Sequence, residues 1–141
     1  LIGEWFFNIF RDRFKHMLMP ESEDSEDSKA ITQEEYQTLF SEQFQYKGFI
    51  EALLSTIRNF NLFSVLEMYS SIGETQKPVL AIWGKLDGVV PFSGSEKLKQ
   101  AIPQAELVVI EEGTHDITYR QPSQVSKAIV RFLLKQKRVS R

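Results

Sequence analysis

The chain has 141 residues, 42% hydrophobic and 26% charged, with a formal net charge of −2, eleven phenylalanines and no cysteine. That length suits one ordinary domain burying roughly 68–70% of its unfolded surface, and the apolar content is too high for a chain that stays disordered. Disulfide frameworks and cysteine-bearing zinc sites are excluded, the charge balance argues against nucleic-acid binding, and no run approaches the ~20 apolar residues of a transmembrane segment.

Charge divides the chain. Residues 1–74 hold 6 Lys/Arg and 13 Asp/Glu, a net of −7, whereas residues 75–141 hold 11 Lys/Arg and 6 Asp/Glu, a net of +5. The first half reads as all helical, the second as strand–helix–strand–helix, with the seam between Gly73 and Pro78. Ile2, Phe6, Ile9, Phe10, Phe14 and Met17 recur at spacings of three and four, which predicts an amphipathic helix over Leu1–Leu18. His16 on that helix sits among Met and Phe and reads as an ordinary packed or surface histidine. Pro20 helps to stop the helix, and Glu21 to Ser28, with five acids and three serines, reads as a solvated loop. Thr32 with Glu35 forms a capping box that opens a helix towards Phe44. A third helix carries Phe49, Ile50, Leu53, Leu54, Ile57 and Phe60. Ser64 with Glu67 is a second capping box, and Gly73 is the expected left-handed stop of the helix that follows.

In the second half, Val79 to Trp83 and Leu107 to Ile110 are short, continuous apolar runs. Continuous rather than alternating runs predict strands covered on both faces, as in parallel sheets. Ser95 to Ile102 supplies a helix between them, with Leu98, Ala101 and Ile102 on one side. A final helix starts near Pro122, buries Val125, Ile129, Phe132 and Leu133, and ends in basic residues that complement the helix dipole. Two strands do not make an independently stable parallel sheet. They are therefore expected to be the edge of a larger sheet whose N-terminal remainder is not in this chain. No secretory signal opens the chain at Leu1, and the natural start is expected upstream.

Ligands of open parallel sheets bind outside the carboxyl ends of the strands. Past the first strand comes Gly84-Lys85-Leu86-Asp87-Gly88-Val89-Val90-Pro91; past the second comes Glu111-Glu112-Gly113-Thr114-His115-Asp116. Asp87 and His115 therefore share one edge of the sheet, on strands about 4.8 Å apart. A carboxylate that accepts from an imidazole fixes its tautomer and stabilises the imidazolium, the logic of a catalytic triad. Asp116 is the poorer partner, because chain neighbours seldom orient each other's rings. The pair lacks the further ligands of a metal site, and no cofactor signal is present.

These residues resemble a known family. Pro78 to Pro91, Ala105 to Ile110 and Gly113-Thr114-His115 are similar to the last two strands of the α/β-hydrolase superfamily, and Gln121-Pro122 with the closing helix fits as well. By that resemblance the fold is α/β, the C-terminal part of a mostly parallel sheet flanked by helices. Residues 1–74, notably Tyr46 to Phe49 and Ala52 to Thr56, resemble a helical cap or lid segment, and residues 75–141 the end of the core. The resemblance implies Asp87 as the triad acid and His115 as the general base, in the superfamily's chain order. Thr114 stands where Gly is frequent.

No G-x-S-x-G occurs in the 141 residues, so the nucleophile and oxyanion hole are expected upstream and this chain alone is expected to be inactive. The implied activity is a carboxylesterase or lipase type of serine hydrolysis on a small apolar or acyl ester, without metal or cofactor. Two other readings stand beside it. One is an epoxide hydrolase or haloalkane dehalogenase with an upstream Asp nucleophile, for which Tyr36, Tyr46 and Tyr69 are available donors. The other is a non-catalytic binding module. Location stays open, with the lack of cysteine leaning towards a reducing, cytoplasmic compartment.

Overall fold

A computed structural model of the protein describes residues 25–59 and 66–139. The helix expected over Leu1–Leu18, with His16, and Ser64 of the second capping box lie outside the described residues. The described residues fall into two compact units, 31–59, and 25–30 with 66–139.

In the first unit, helix α1 (Gln33–Gln43) opens on the capping box read from the sequence. Thr32 Oγ1 accepts from the Glu35 N–H at 3.1 Å, and the Glu35 carboxylate accepts from the Thr32 N–H at 2.9 Å, answering two donors that a helix start leaves unpaired. Phe40, Phe44 and Phe49 then stack edge to face, with ring centroids 5.4 and 5.3 Å apart. This relay carries the chain through the turn into α2 (Phe49–Asn59). Gly48 in that turn has φ +83°, a conformation that favours a residue without Cβ. Phe49, Ile50, Leu53 and Leu54 form the half-buried stripe of α2.

The second unit runs α3 (Leu66–Glu74), β1 (Leu80–Gly84), α4 (Gly94–Ala101), β2 (Glu106–Ile110), α5 (Ile117–Arg120) and α6 (Pro122–Val139). β1 and β2 pair in parallel, with Leu80 opposite Glu106 and Gly84 opposite Ile110, as the continuous apolar runs predict. The two-stranded sheet is half-buried along most of its length, and only Gly84 and Ile110 at its carboxyl end are buried. Ile110, Ile117 and Val125 form the core there, with Ile82 against them. At the other end of β2, Glu106 accepts from Lys135 at 2.9 Å and Arg131 at 3.1 Å of α6. Among the described residues no helix is long and apolar enough to cross a membrane.

Three expectations are corrected. Gly73 is not the left-handed stop of α3: it lies inside the helix, and the positive φ, 55°, belongs to Gln76. Gly73 is small for another reason, because a Cβ there would collide with the Ala101 carbonyl of α4. Its own carbonyl accepts from the side chains of Gln76 (3.1 Å) and Gln104 (3.0 Å). On α6, Val125 and Ala128 are buried, whereas Ile129 and Leu133 are 41% and 58% exposed. The stripe that packs runs through positions 125, 128 and 132, one step round the helix from the expected one. Lastly, the acidic octet is not wholly a solvated loop, since Ser25 and Asp27 are half-buried, Ser25 bonded to the end of α5 and Asp27 to the start of α6.

Candidate active site

The carboxyl ends of β1 and β2 are zipped together beyond the strands. The Lys85 N–H donates to the Ile110 carbonyl at 2.9 Å, and the Leu86 N–H to the Gly113 carbonyl at 2.8 Å. Two glycines permit this approach. A Cβ on Gly84 would collide with the Gly113 and Thr114 carbonyl oxygens, and one on Gly113 would stand 2.9 Å from the Gly84 Cα. The absence of a side chain at both positions serves the close approach of two backbones. Lys85 and Glu111 add an ion pair across the loops, solvent-exposed on both sides and thus of small energetic weight.

The zipper brings Asp87 and His115 together, as the strand-end reading expects. Asp87 Oδ2 lies 3.0 Å from His115 Nδ1. Asp87 Oδ1 is occupied by its own loop, accepting from the Val89 N–H at 2.9 Å and the Val90 N–H at 2.8 Å. Those two backbone donors were missed from the sequence, which carries no side-chain signal for them. Trp83 braces the same loop, its Nε1 donating to the Val90 carbonyl at 3.0 Å. Each carboxylate oxygen thus has a separate task, and the Asp87 side chain is only 9% exposed, against 44% for His115. A carboxylate on Nδ1 assigns the proton to that nitrogen and leaves the lone pair on Nε2 of an open ring. Such a nitrogen can take a proton from an attacking group and return it to a leaving group.

Asp116 takes a different part. It accepts from the Thr114 hydroxyl, so Thr114 and Asp116 brace the loop from within while Asp87 faces the imidazole. Leu86, Val89 and Val90 are exposed apolar side chains on the loop that carries Asp87. Tyr36 and Tyr46 belong to the first unit and Tyr69 to α3 of the second. Among the described residues no three His, Asp or Glu side chains converge as a metal site.

Comparison with known proteins identifies the family of the chain. The family model described as TAP-like protein, an α/β-hydrolase family, matches residues 64–140, more than half of the chain. RutD of Agrobacterium fabrum, which bears the name of a carbamate hydrolase, is 28% identical over 80 residues, covering 57% of this chain and 31% of that protein. Monoacylglycerol lipase ABHD6 of Mus musculus is 27% identical over 103 residues, covering 73% of this chain and 30% of its own. The 2-hydroxy-6-oxononadienedioate/2-hydroxy-6-oxononatrienedioate hydrolase 2 of Pseudomonas putida is 27% identical over 111 residues, with shares of 76% and 37%. The chain thus spans about a third of the length of these relatives, two of them named as hydrolases and one as a lipase. Its parallel strand pair flanked by helices is that of the C-terminal part of the fold, and the chain belongs to the TAP-like family of the α/β-hydrolase superfamily.

Proposed function

We propose that the full-length protein is a serine hydrolase of the esterase or lipase type, with His115 as general base and Asp87 as the acid that orients it. The observation that carries this reading is the 3.0 Å contact of Asp87 Oδ2 with His115 Nδ1, beside an otherwise open imidazole. The serine comes from outside these 141 residues, in which no G-x-S-x-G occurs. His115 Nε2 takes the serine proton as the serine oxygen attacks the ester carbonyl, and the imidazolium is stabilised by the Asp87 carboxylate. The proton passes from Nε2 to the departing alkoxide, leaving an acyl-enzyme. Water, deprotonated by the same nitrogen, then releases the acid and restores the serine. A small apolar acyl ester is the proposed substrate class, supported by the exposed Leu86, Val89 and Val90 beside the pair and by the lipase among the relatives. Residues 1–74 are proposed as cap or lid and residues 75–141 as the end of the catalytic core. The test is hydrolysis of a short acyl ester series by the full-length protein. The His115→Ala variant is expected to lose the activity, and undiminished turnover in a folded variant refutes the assignment.

A further inference from the structure

The segment Ser25–Ala30 belongs to the unit that carries the Asp87–His115 pair, although both flanking stretches of chain belong to the other unit. It is fastened to the junction of α5 and α6. The Ser25 hydroxyl donates to the Arg120 carbonyl, 95 positions further on. Asp27 Oδ2 accepts from the Ser123 N–H at 2.8 Å, and Asp27 Oδ1 from the Ser123 hydroxyl at 2.8 Å and the Lys29 N–H at 3.1 Å. The sequence alone accounts for the vacancy that Asp27 fills. Pro122 opens α6 without an N–H, so Ser123 carries the first donor of that helix, and the first turn has no intrahelical acceptors to offer. A carboxylate at a helix N-terminus is also favoured by the helix dipole.

From this junction the hydrogen bonds lead to the candidate base. The Arg120 N–H donates to the Asp116 carbonyl at 3.0 Å, which closes the single turn of α5, and Asp116 directly follows His115. Arg120 is 4% exposed and Ile117 9%, so the turn between them is packed into the unit. His115 therefore has two supports: Asp87 on its ring, and α5 on its backbone. We infer that Asp27, together with Ser25, is a positioning element for His115, clamping the α5–α6 junction and thereby holding the backbone that presents the imidazole. Asp27 touches no reacting atom. Its catalytic consequence rests on the reading of His115 as a general base. The Lys29 N–H, followed by the Ser123 N–H and hydroxyl, holds the Asp27 carboxyl below the usual aspartate range in spite of partial desolvation.

The experiment compares full-length wild type with Asp27→Ala, Ser123→Ala, the double variant and the conservative Asp27→Asn, which keeps an oxygen acceptor. Two readouts are taken: ¹³C relaxation of the His115 Cε1–H group, and kcat and KM separately. Asp27→Ala is expected to increase His115 ring motion and to lower kcat on the order of tenfold while KM changes by less than about twofold. The double variant is expected to be no worse than Asp27→Ala, because the hydroxyl contact that Ser123→Ala removes is already lost in Asp27→Ala, and Asp27→Asn to recover part of the loss. Unchanged His115 relaxation in folded Asp27→Ala overturns the inference, whatever happens to kcat. Should Asp27→Ala not fold, Asp27→Asn, whose amide nitrogen cannot accept from a backbone N–H, decides by the same criterion. The relaxation readout needs no turnover, so an inactive wild type refutes the hydrolase reading while the clamp is still decided by His115 motion.

Discussion

Replacing Gly84 by alanine tests the close approach that brings the two strand-end loops together. The new methyl would fall on the Gly113 and Thr114 carbonyl oxygens, which are backbone atoms with no flexible end to yield. Relief requires the strand ends to part by about 1 Å to restore ordinary contact. The Leu86 N–H to Gly113 bond, 2.8 Å in the native chain, would then pass out of hydrogen-bonding range. Overpacking costs about 1–3 kcal/mol and the lost backbone bond about 1 kcal/mol, so a destabilisation of about 2–4 kcal/mol is expected. The same displacement separates Asp87 from His115, and a 1 Å error in such a constellation costs roughly 100-fold in rate. Gly88 is the internal control. A Cβ there meets nothing within 4 Å, so Gly88→Ala should stay within about 0.5 kcal/mol of wild type. Urea unfolding of the full-length protein, with the m-value checked for constancy, and ester turnover measure both quantities. Gly84→Ala within about 0.5 kcal/mol of wild type, with intact turnover, would refute the close-approach argument.

The Asp87→Asn variant should keep the fold and lose about 10³–10⁴ in kcat, since a neutral amide no longer stabilises the imidazolium; a loss below about tenfold contradicts that role. Ile110→Ala removes a core side chain that is 2% exposed and should cost about 2–5 kcal/mol by chemical denaturation. Glu106 is held below its ordinary value near 4.5, first by hydrogen bonding to Lys135 and then to Arg131. A carboxylate lowered on folding contributes stability that is present above the unfolded value and lost as pH falls through the folded one. Glu106→Gln should therefore be less stable than wild type at pH 7, with the difference closing in acid; a difference that persists unchanged at the lowest pH contradicts the pairing. Gly48→Ala, at φ +83° with open space around it, should cost about 1 kcal/mol from backbone strain alone and leave turnover unaffected.

The legible parts of this chain are those dictated by local pattern. Continuous apolar runs identify β1 and β2, the Thr32–Glu35 spacing marks the start of α1, and parallel strand ends put Asp87 and His115 on one edge. Contacts between distant segments leave no such pattern. Nothing in a run of acids and serines tells that Asp27 caps a helix 96 positions away, because the vacancy it fills is created by Pro122. Gly73 shows a related ambiguity, since a glycine near a helix end serves equally for a left-handed stop or for close packing, and only the Ala101 carbonyl distinguishes them. On α6 the apolar residues span more than one face, so periodicity alone does not say which of Val125, Ala128, Ile129 and Leu133 meets the sheet. The backbone donors of Val89 and Val90 that fix Asp87 are invisible to any reading of side chains.

Labelling the full-length protein with a fluorophosphonate, which phosphonylates only an activated serine, tests the acid–base pair most directly. With Asp87 and His115 activating a serine, wild type is expected to carry one label, located by peptide mass spectrometry on a serine outside these 141 residues. The His115→Ala variant should label at least 10³-fold more slowly, in keeping with removal of a triad member. Equal labelling of wild type and His115→Ala would contradict the account, and so would a wild-type protein that hydrolyses its substrate without any labelled serine.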